Sequence, residues 1–234
     1  MKKMLLFVLL AFSVTQLWSQ EIRYIKVPLV GEEAPLFTAS STNGTINFPV
    51  DYGRKWKMLF SHPQAFTPVC TTEILELAYA QSEFDKLNVA LVVLSTDPND
   101  QHVQWKKAME EINYQGRGLV KIRFPLVDDD KLVVSRQYGM IHPSSNTTKD
   151  VRGVFIIDPD DIIQAIFFYP MNVGRNIEEL KRTVVALQTA RANHVMTPAN
   201  WQKGNDVLIP LKPVTAKEKE VAKDVTLFMT FKKL

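Results

Sequence analysis

One residue in 234 is a cysteine, and its neighbours are of the kinds that make a thiol react. Cys70 lies in the run His62-Pro63-Gln64-Ala65-Phe66-Thr67-Pro68-Val69-Cys70-Thr71-Thr72-Glu73. Pro68 suits the first turn of a helix, and Thr67 before it suits an N-cap. Downstream, Ile74, Leu77, Ala78 and Phe84 recur at close to the helical period, which predicts a helix over about residues 69–87 with Cys70 in its first turn. Unpaired backbone N–H groups and the positive end of the helix dipole favour thiolate over thiol there, and the thiolate is the nucleophile. The bland alternative is a small buried hydrophobe. A lone cysteine has no internal disulfide partner, so a second molecule must complete any chemistry that oxidises it.

The flanking elements have to carry the thiol. Lys57-Met58-Leu59-Phe60 is a short apolar run that predicts a buried strand at 57–61, and Asn88 to Ser95 is a near-continuous apolar run of the kind covered on both faces. Strand, helix, strand implies a right-handed parallel crossover. Around this unit, Asn43-Gly44 between Phe37–Ser41 and Thr45–Phe48 predicts a hairpin with a two-residue turn. A helix at about 100–112 carries a loose apolar stripe of Val103, Met109 and Ile112. Asp128-Asp129-Asp130 precedes a helix at about 131–138; without further carboxylates at ligand spacing it reads as a helix start rather than a cation site. Gly153–Asp158 and Ile162–Tyr169 flank Pro159-Asp160-Asp161 as a second hairpin, and the most amphipathic helix runs from Asn176, its N-cap, to Asn193. The plan is α/β, a mixed sheet between helices.

With 46% hydrophobic and 23% charged residues the chain is globular, and its formal charge of +3 is mild. No basic stripe interleaved with aromatics appears, so nucleic acid is not an expected partner. Met1-Lys2-Lys3 followed by the apolar run Met4 to Phe12 predicts a signal peptide over residues 1–20, too short to span a bilayer. Its removal takes Lys2 and Lys3 and leaves a net charge of +1. Export to a periplasm or the outside follows, with a cytoplasmic location as the alternative. Residues 28–194 then form the main domain and 195–234 an appendage, where Thr197-Pro198 and Ile209-Pro210 interrupt regular structure.

The arrangement of Pro63, Thr67 and Cys70 resembles the active-site pattern of the peroxiredoxins. The likeness extends through Leu94-Ser95-Thr96, Gln101-His102-Val103-Gln104-Trp105, Tyr138-Gly139-Met140, Arg152 to Pro159, Tyr169-Pro170, Gly174-Arg175-Asn176 and Thr197 to Trp201. It covers residues 28–212 and is to the one-cysteine subgroup with a long C-terminal domain. The resemblance implies a thioredoxin-like fold and a thiol-dependent peroxidase acting on hydrogen peroxide and organic hydroperoxides. It further implies recycling by an external thiol, which could be a thioredoxin-like protein or a small molecule, and assembly as a homodimer or larger ring.

By the same resemblance Cys70 is the peroxidatic cysteine, Thr67 the hydroxyl that bonds peroxide and thiolate, Pro63 the shield of the pocket and Arg152 the cation beside the sulfur. A guanidinium keeps its charge at every pH. From the residues alone, Arg152 opens an apolar strand, where a long cation is ordinarily exposed. Glu73, one helical turn after Cys70, matches the carboxylate that orients the arginine; Arg175 matches a second arginine, and His62 matches a histidine near the pocket mouth. No cofactor is implied, and His102, His142 and His194 lack the paired spacing of metal ligands. Some members of the subgroup carry Gly-x-Ser-x-Gly before the active-site strand; this chain has Gly53-Arg54-Lys55-Trp56-Lys57, so a serine nucleophile is excluded there. Two competing readings are a non-enzymatic redox sensor or partner-binding holdase, and a thiol-disulfide oxidoreductase, which the missing Cys-x-x-Cys disfavours.

Overall fold

The computed structural model describes residues 26–146, 148–210, 223–226 and 229–234. The segment expected to be a signal peptide and the charged run at 217–220 lie outside the described residues.

Five strands form the central sheet: β3 (Trp56–Ser61), β4 (Val89–Ser95), β5 (Leu126–Asp128), β6 (Arg152–Ile157) and β7 (Ile163–Tyr169). Their order is β5-β4-β3-β6-β7. β3, β4 and β5 run parallel, and β6 and β7 join antiparallel, so the sheet is mixed as the α/β plan requires. Alternation along the strands sorts their side chains onto two faces. Met58 and Phe60, Leu91 and Val93, and Val154 and Ile156 join one apolar cluster with helix α1 (Pro68–Lys86), helix α2 (Asn99–Glu110) and helix α4 (Ile177–Asn193). Leu59, Val92, Leu94, Phe155 and Ile157 join the other, covered by the hairpin of β1 (Phe37–Ala39) and β2 (Ile46–Phe48) and by helix α3 (Val133–Gln137). Both faces are covered, which is why β4 and β6 read as continuous apolar runs.

The same alternation decides where Arg152 points. It shares its parity with Val154 and Ile156, so its side chain lies on the face covered by α1.

Three local expectations are corrected. The β1–β2 hairpin exists, but Ala39 pairs with Ile46, leaving six residues in the loop instead of two. The chain leaves the ladder because Ser41 bridges Val127 in β5 and the Thr42 N–H donates to Leu126, a stronger demand than the Asn43-Gly44 turn signal. In α2 the buried residues are His102, Trp105 and Met109, whereas Val103 and Ile112 are exposed. The third helix is only five residues long, starting at Val133. Asp129 accepts the N–H groups of Val133, Val134 and Ser135 there, while Asp128 turns the other way to accept from Asn99 at the start of α2. The aspartate run thus caps two helices.

α4 is capped as expected, with Asn176 Oδ1 accepting from the Glu179 N–H at 3.1 Å. Its last turn ties back to the sheet where Arg191 pairs with Asp158 and Asp160. In the C-terminal segment β8 (Val207–Leu208), β9 (Lys223–Thr226) and β10 (Met229–Lys232) form a small separate sheet in the order β8-β10-β9. Trp201 and Val207 pack with Ala186, which fastens this part to α4.

Candidate active site

Thr67 occupies the N-cap position of α1 with extended backbone and Pro68 begins the helix, so Cys70 falls in the first turn. The N–H groups of Val69 and Cys70 have no intrahelical acceptor by position. Cys70 is fully buried, packed into the cluster between α1 and the sheet. Arg152 is buried as well, at 2% exposure, contrary to what its place at a strand end suggests alone. Its Nη1 donates to the Cys70 sulfur at 3.4 Å and to Glu73 Oε2 at 2.6 Å. Its Nε donates to the Met171 carbonyl at 2.9 Å, and Nη2 donates to the same carbonyl. Four of the five guanidinium N–H groups are thereby committed, and one N–H of Nη2 has no partner among the described residues.

Glu73 is the hub. Its Oε2 accepts from Arg152 and, at 2.7 Å, from Arg175 Nη2. Its Oε1 accepts from the Arg175 backbone N–H and Nε, both at 2.8 Å. Arg175 does not touch the sulfur. Its Nη1 donates to the Ser61 and Gly153 carbonyls at 2.8 and 2.9 Å, and its guanidinium lies over the Phe60 ring, 3.2 Å from the centroid. Burial pulls this guanidinium below its ordinary pKa, and the Glu73 carboxylate pulls the other way. One carboxylate between two buried cations compensates only part of their charge, which leaves net positive potential at the sulfur.

The remaining expected residues lie between β3 and α1. Pro63 is buried in the loop leading to the helix. The Thr67 hydroxyl donates its proton to the Gln64 carbonyl at 2.8 Å instead of capping the helix, so here it can accept a bond from a peroxide but has no proton to give the sulfur. His62 is fully buried, and neither ring nitrogen has a hydrogen-bond partner among the described residues. Its ring packs on Trp105 with centroids 4.9 Å apart. Burial, with the His102, Arg175 and Arg152 charges, holds its pKa well below the usual histidine value, so it is neutral in the fold. It makes no bond to Cys70.

Two participants escaped sequence reasoning. The Met171 carbonyl grips Arg152 through a backbone atom, which no residue type announces. Asp97 sits in the Ser95-Thr96-Asp97 run and reaches the active-site loop at Ala65. Phe66, next to Ala65, has a left-handed φ of 56° and is exposed at 54%.

A thiol at a helix start, bonded to a guanidinium from the strand beneath it in a mixed sheet between helices, defines a thiol-based redox protein of the thioredoxin-like class. Comparison with known proteins narrows this. The family described as AhpC/TSA matches residues 30–166, and the C-terminal domain of 1-Cys peroxiredoxin matches residues 186–223. A peroxiredoxin of Methanosarcina mazei is 48% identical over 215 residues, spanning 88% of this chain and 98% of the relative. The structure of a yeast mitochondrial 1-Cys peroxiredoxin superposes with a TM-score of 0.80 at 37% identity, covering 88% of this chain and 99% of the other. A cysteine-to-serine mutant of the peroxiredoxin 6 of Arenicola marina gives 0.74 at 33% identity, covering 82% and 87%. The chain belongs to the peroxiredoxins. It is a thiol-dependent peroxidase, and its single cysteine fits a one-cysteine mechanism.

Proposed function

We propose that Cys70 is the peroxidatic cysteine and reduces hydrogen peroxide and organic hydroperoxides, with Arg152 as its cationic partner. The observation that carries this is the Arg152 Nη1 bond to the sulfur at 3.4 Å, held by Glu73 and Met171. The Cys70 thiolate attacks the terminal peroxide oxygen, an S–O bond forms as the O–O bond breaks, and the leaving oxygen departs as water or an alcohol after taking a proton. The free N–H of Arg152 and the first-turn N–H groups stabilise the charge on that oxygen. Thr67 accepts from the peroxide O–H, and Pro63 keeps water from the sulfur. Glu73 and Arg175 act at one remove, by fixing Arg152.

The sulfenic acid is returned to the thiol by an outside reductant: one thiol condenses with it, releasing water, and a second thiol displaces the first from the mixed disulfide. The solved yeast relative concerns thiol resolving via glutathione/thioredoxin systems, which supports both a small thiol and a thioredoxin-like protein as reductants here. Stopped-flow consumption of hydrogen peroxide and of an alkyl hydroperoxide by the reduced chain tests the reading. Loss of both on Cys70→Ser is the expected result; turnover that survives it contradicts a Cys70 mechanism and favours the sensor or holdase alternative for the thiol.

Two further parts of the reading concern assembly and place. β7 is an edge strand with partly buried apolar residues and no described strand beyond it, which supports pairing with a second copy as a homodimer. Sedimentation at micromolar concentration gives the dimer mass if so, and the monomer mass otherwise. The Lys2-Lys3 start and the apolar run after it support export of a chain that begins near residue 21. N-terminal sequencing of exported protein checks this, and an intact Met1 in a cytosolic fraction contradicts it. Among the described residues no helix is long and apolar enough to cross a membrane.

A further inference from the structure

Ser95, Asp97 and His102 take no part in the chemistry above, yet they form a buried chain of hydrogen bonds that ends on the active-site loop. Asp97 is 2% exposed. Its Oδ2 accepts from the Ala65 backbone N–H at 2.6 Å and from the Ser95 hydroxyl at 3.0 Å, and its Oδ1 accepts from Lys149 Nζ at 3.0 Å. The proton order in this chain is fixed. Ser95 has one proton, and it goes to Asp97, since otherwise two bare oxygens would face each other at 3.0 Å. His102 Nε2, 2.8 Å from the Ser95 oxygen, is therefore the donor of that pair. This leaves His102 Nδ1 bare, in agreement with its having no partner among the described residues. Ser95 also accepts the Asp97 N–H at 3.2 Å, so the serine is saturated and the carboxylate cannot swing away without breaking several bonds together.

The two ends of this chain are significant. Ala65 precedes Phe66, whose φ of 56° is a conformation that a residue with a Cβ adopts only when its surroundings impose it. That turn lies between Pro63 and Thr67 and sets where both stand relative to Cys70. Lys149 lies three residues before Arg152, and the same stretch is tied a second time where the Thr96 hydroxyl donates to the Thr148 carbonyl at 2.9 Å. One carboxylate thus fastens the segment that carries the sulfur's pocket to the segment that carries the sulfur's cation.

We propose that Asp97 is a positioning residue of the peroxidase reaction: by holding the Ala65 N–H and Lys149 together it fixes the turn at Phe66 and so aligns Pro63 and Thr67 with Cys70 and Arg152. The inference rests on the peroxidase reading and adds a residue to it. Asp97 makes no contact with the sulfur, so it sets geometry rather than reactivity, and misplacement of a pocket by about 1 Å can cost on the order of a hundredfold in rate.

The test is Asp97→Asn in the full chain, with two rates measured on the reduced protein: oxidation of Cys70 by hydrogen peroxide and alkylation of Cys70 by iodoacetamide. Peroxide attack needs the aligned pocket, whereas alkylation needs only access to the sulfur, which is fully buried. The clamp predicts a peroxide rate lower by about tenfold to a hundredfold, with the alkylation rate within about threefold of the parent. Unchanged peroxide reactivity overturns it. So does a faster alkylation paired with the slower peroxide reaction, because that is the pattern of general loosening. If Asp97→Asn does not fold, Lys149→Met, at a partly exposed side chain, is read the same way. A peroxide-to-alkylation ratio lowered about threefold or more supports the clamp, and an unchanged ratio overturns it. A parent chain without peroxide reactivity strikes the peroxidase reading itself, while a parent rate that Asp97→Asn leaves intact strikes only the clamp.

Discussion

Glu73→Gln is the substitution whose consequence follows most directly from the hydrogen-bond geometry. The change is nearly isosteric, so packing is conserved and electrostatics is isolated. Four N–H donors converge on the carboxylate, two on each oxygen. An amide keeps one acceptor oxygen and turns the other into a donor, so two of these four bonds become donor-to-donor contacts whichever way the amide is flipped. Bonds to charged groups contribute about 1.5–3 kcal/mol each, which puts the loss at roughly 3–6 kcal/mol. Removing one partner of a buried ion pair independently costs about 3–5 kcal/mol. Urea unfolding monitored by fluorescence gives the stability change. Because Arg152 loses its tether, the stopped-flow rate with hydrogen peroxide falls by about a hundredfold in the same protein under native conditions, the cost of misdirecting one transition-state donor. A stability change under about 1 kcal/mol together with a rate within twofold of the parent refutes the hub role assigned to Glu73.

Other substitutions test separate parts of the site. Arg152→Lys keeps the charge but puts three donors on a single nitrogen where the planar guanidinium uses four on three nitrogens to reach the sulfur, Glu73 and the Met171 carbonyl, so peroxide oxidation slows by about 10²–10³-fold, as measured by stopped flow. Thr67→Val slows it about tenfold to a hundredfold while Thr67→Ser stays within a few-fold, because only the hydroxyl differs in function. Asp150, fully buried without a hydrogen-bond partner among the described residues, has its carboxyl pushed well above the ordinary range, chiefly by burial. The unfolded state therefore releases a proton that the fold retains, and stability is lost as pH rises above about 4. Asp150→Asn removes that loss, so its stability relative to the parent improves from pH 4 to pH 7 by up to about 1.4 kcal/mol per pH unit, read by urea unfolding. His62 titrates in the opposite sense: its folded pKa lies below the unfolded value, so the parent loses stability as pH falls below about 6.5. His62→Phe, which keeps a ring against Trp105, gains on the parent as pH drops from 7 to 5, and a constant gap shows that His62 is not buried neutral.

The fold was legible wherever periodicity was strong. β3, β4 and β6 are apolar because both sheet faces are covered, and α1 and α4 show their buried residues at helical spacing. Legibility failed where distant strands compete with local signals: the Asn43-Gly44 turn yields to the bridge between Ser41 and Val127, and α2 buries a histidine and a tryptophan instead of Val103. At the site, Cys70, Thr67 and Glu73 could be placed from the helix start alone. Arg152 was placed by resemblance, although its parity with Val154 and Ile156 already pointed its side chain towards α1. The partners of Arg152 and Ala65 were hidden for different reasons. Met171 acts through its carbonyl, which every residue has, and Asp97 acts across 32 residues of sequence on a backbone N–H. His62 is the reverse case, a residue type suited to catalysis that the fold buries without a bond to the sulfur.

The central claim is that the Cys70 thiolate takes an oxygen atom from peroxide. Mass spectrometry of the reduced chain after one equivalent of hydrogen peroxide, with a sulfenic-acid trap present, reads this directly. The account predicts a single trapped sulfenic acid on Cys70 with matching loss of peroxide; an unmodified Cys70 beside persisting peroxide contradicts it.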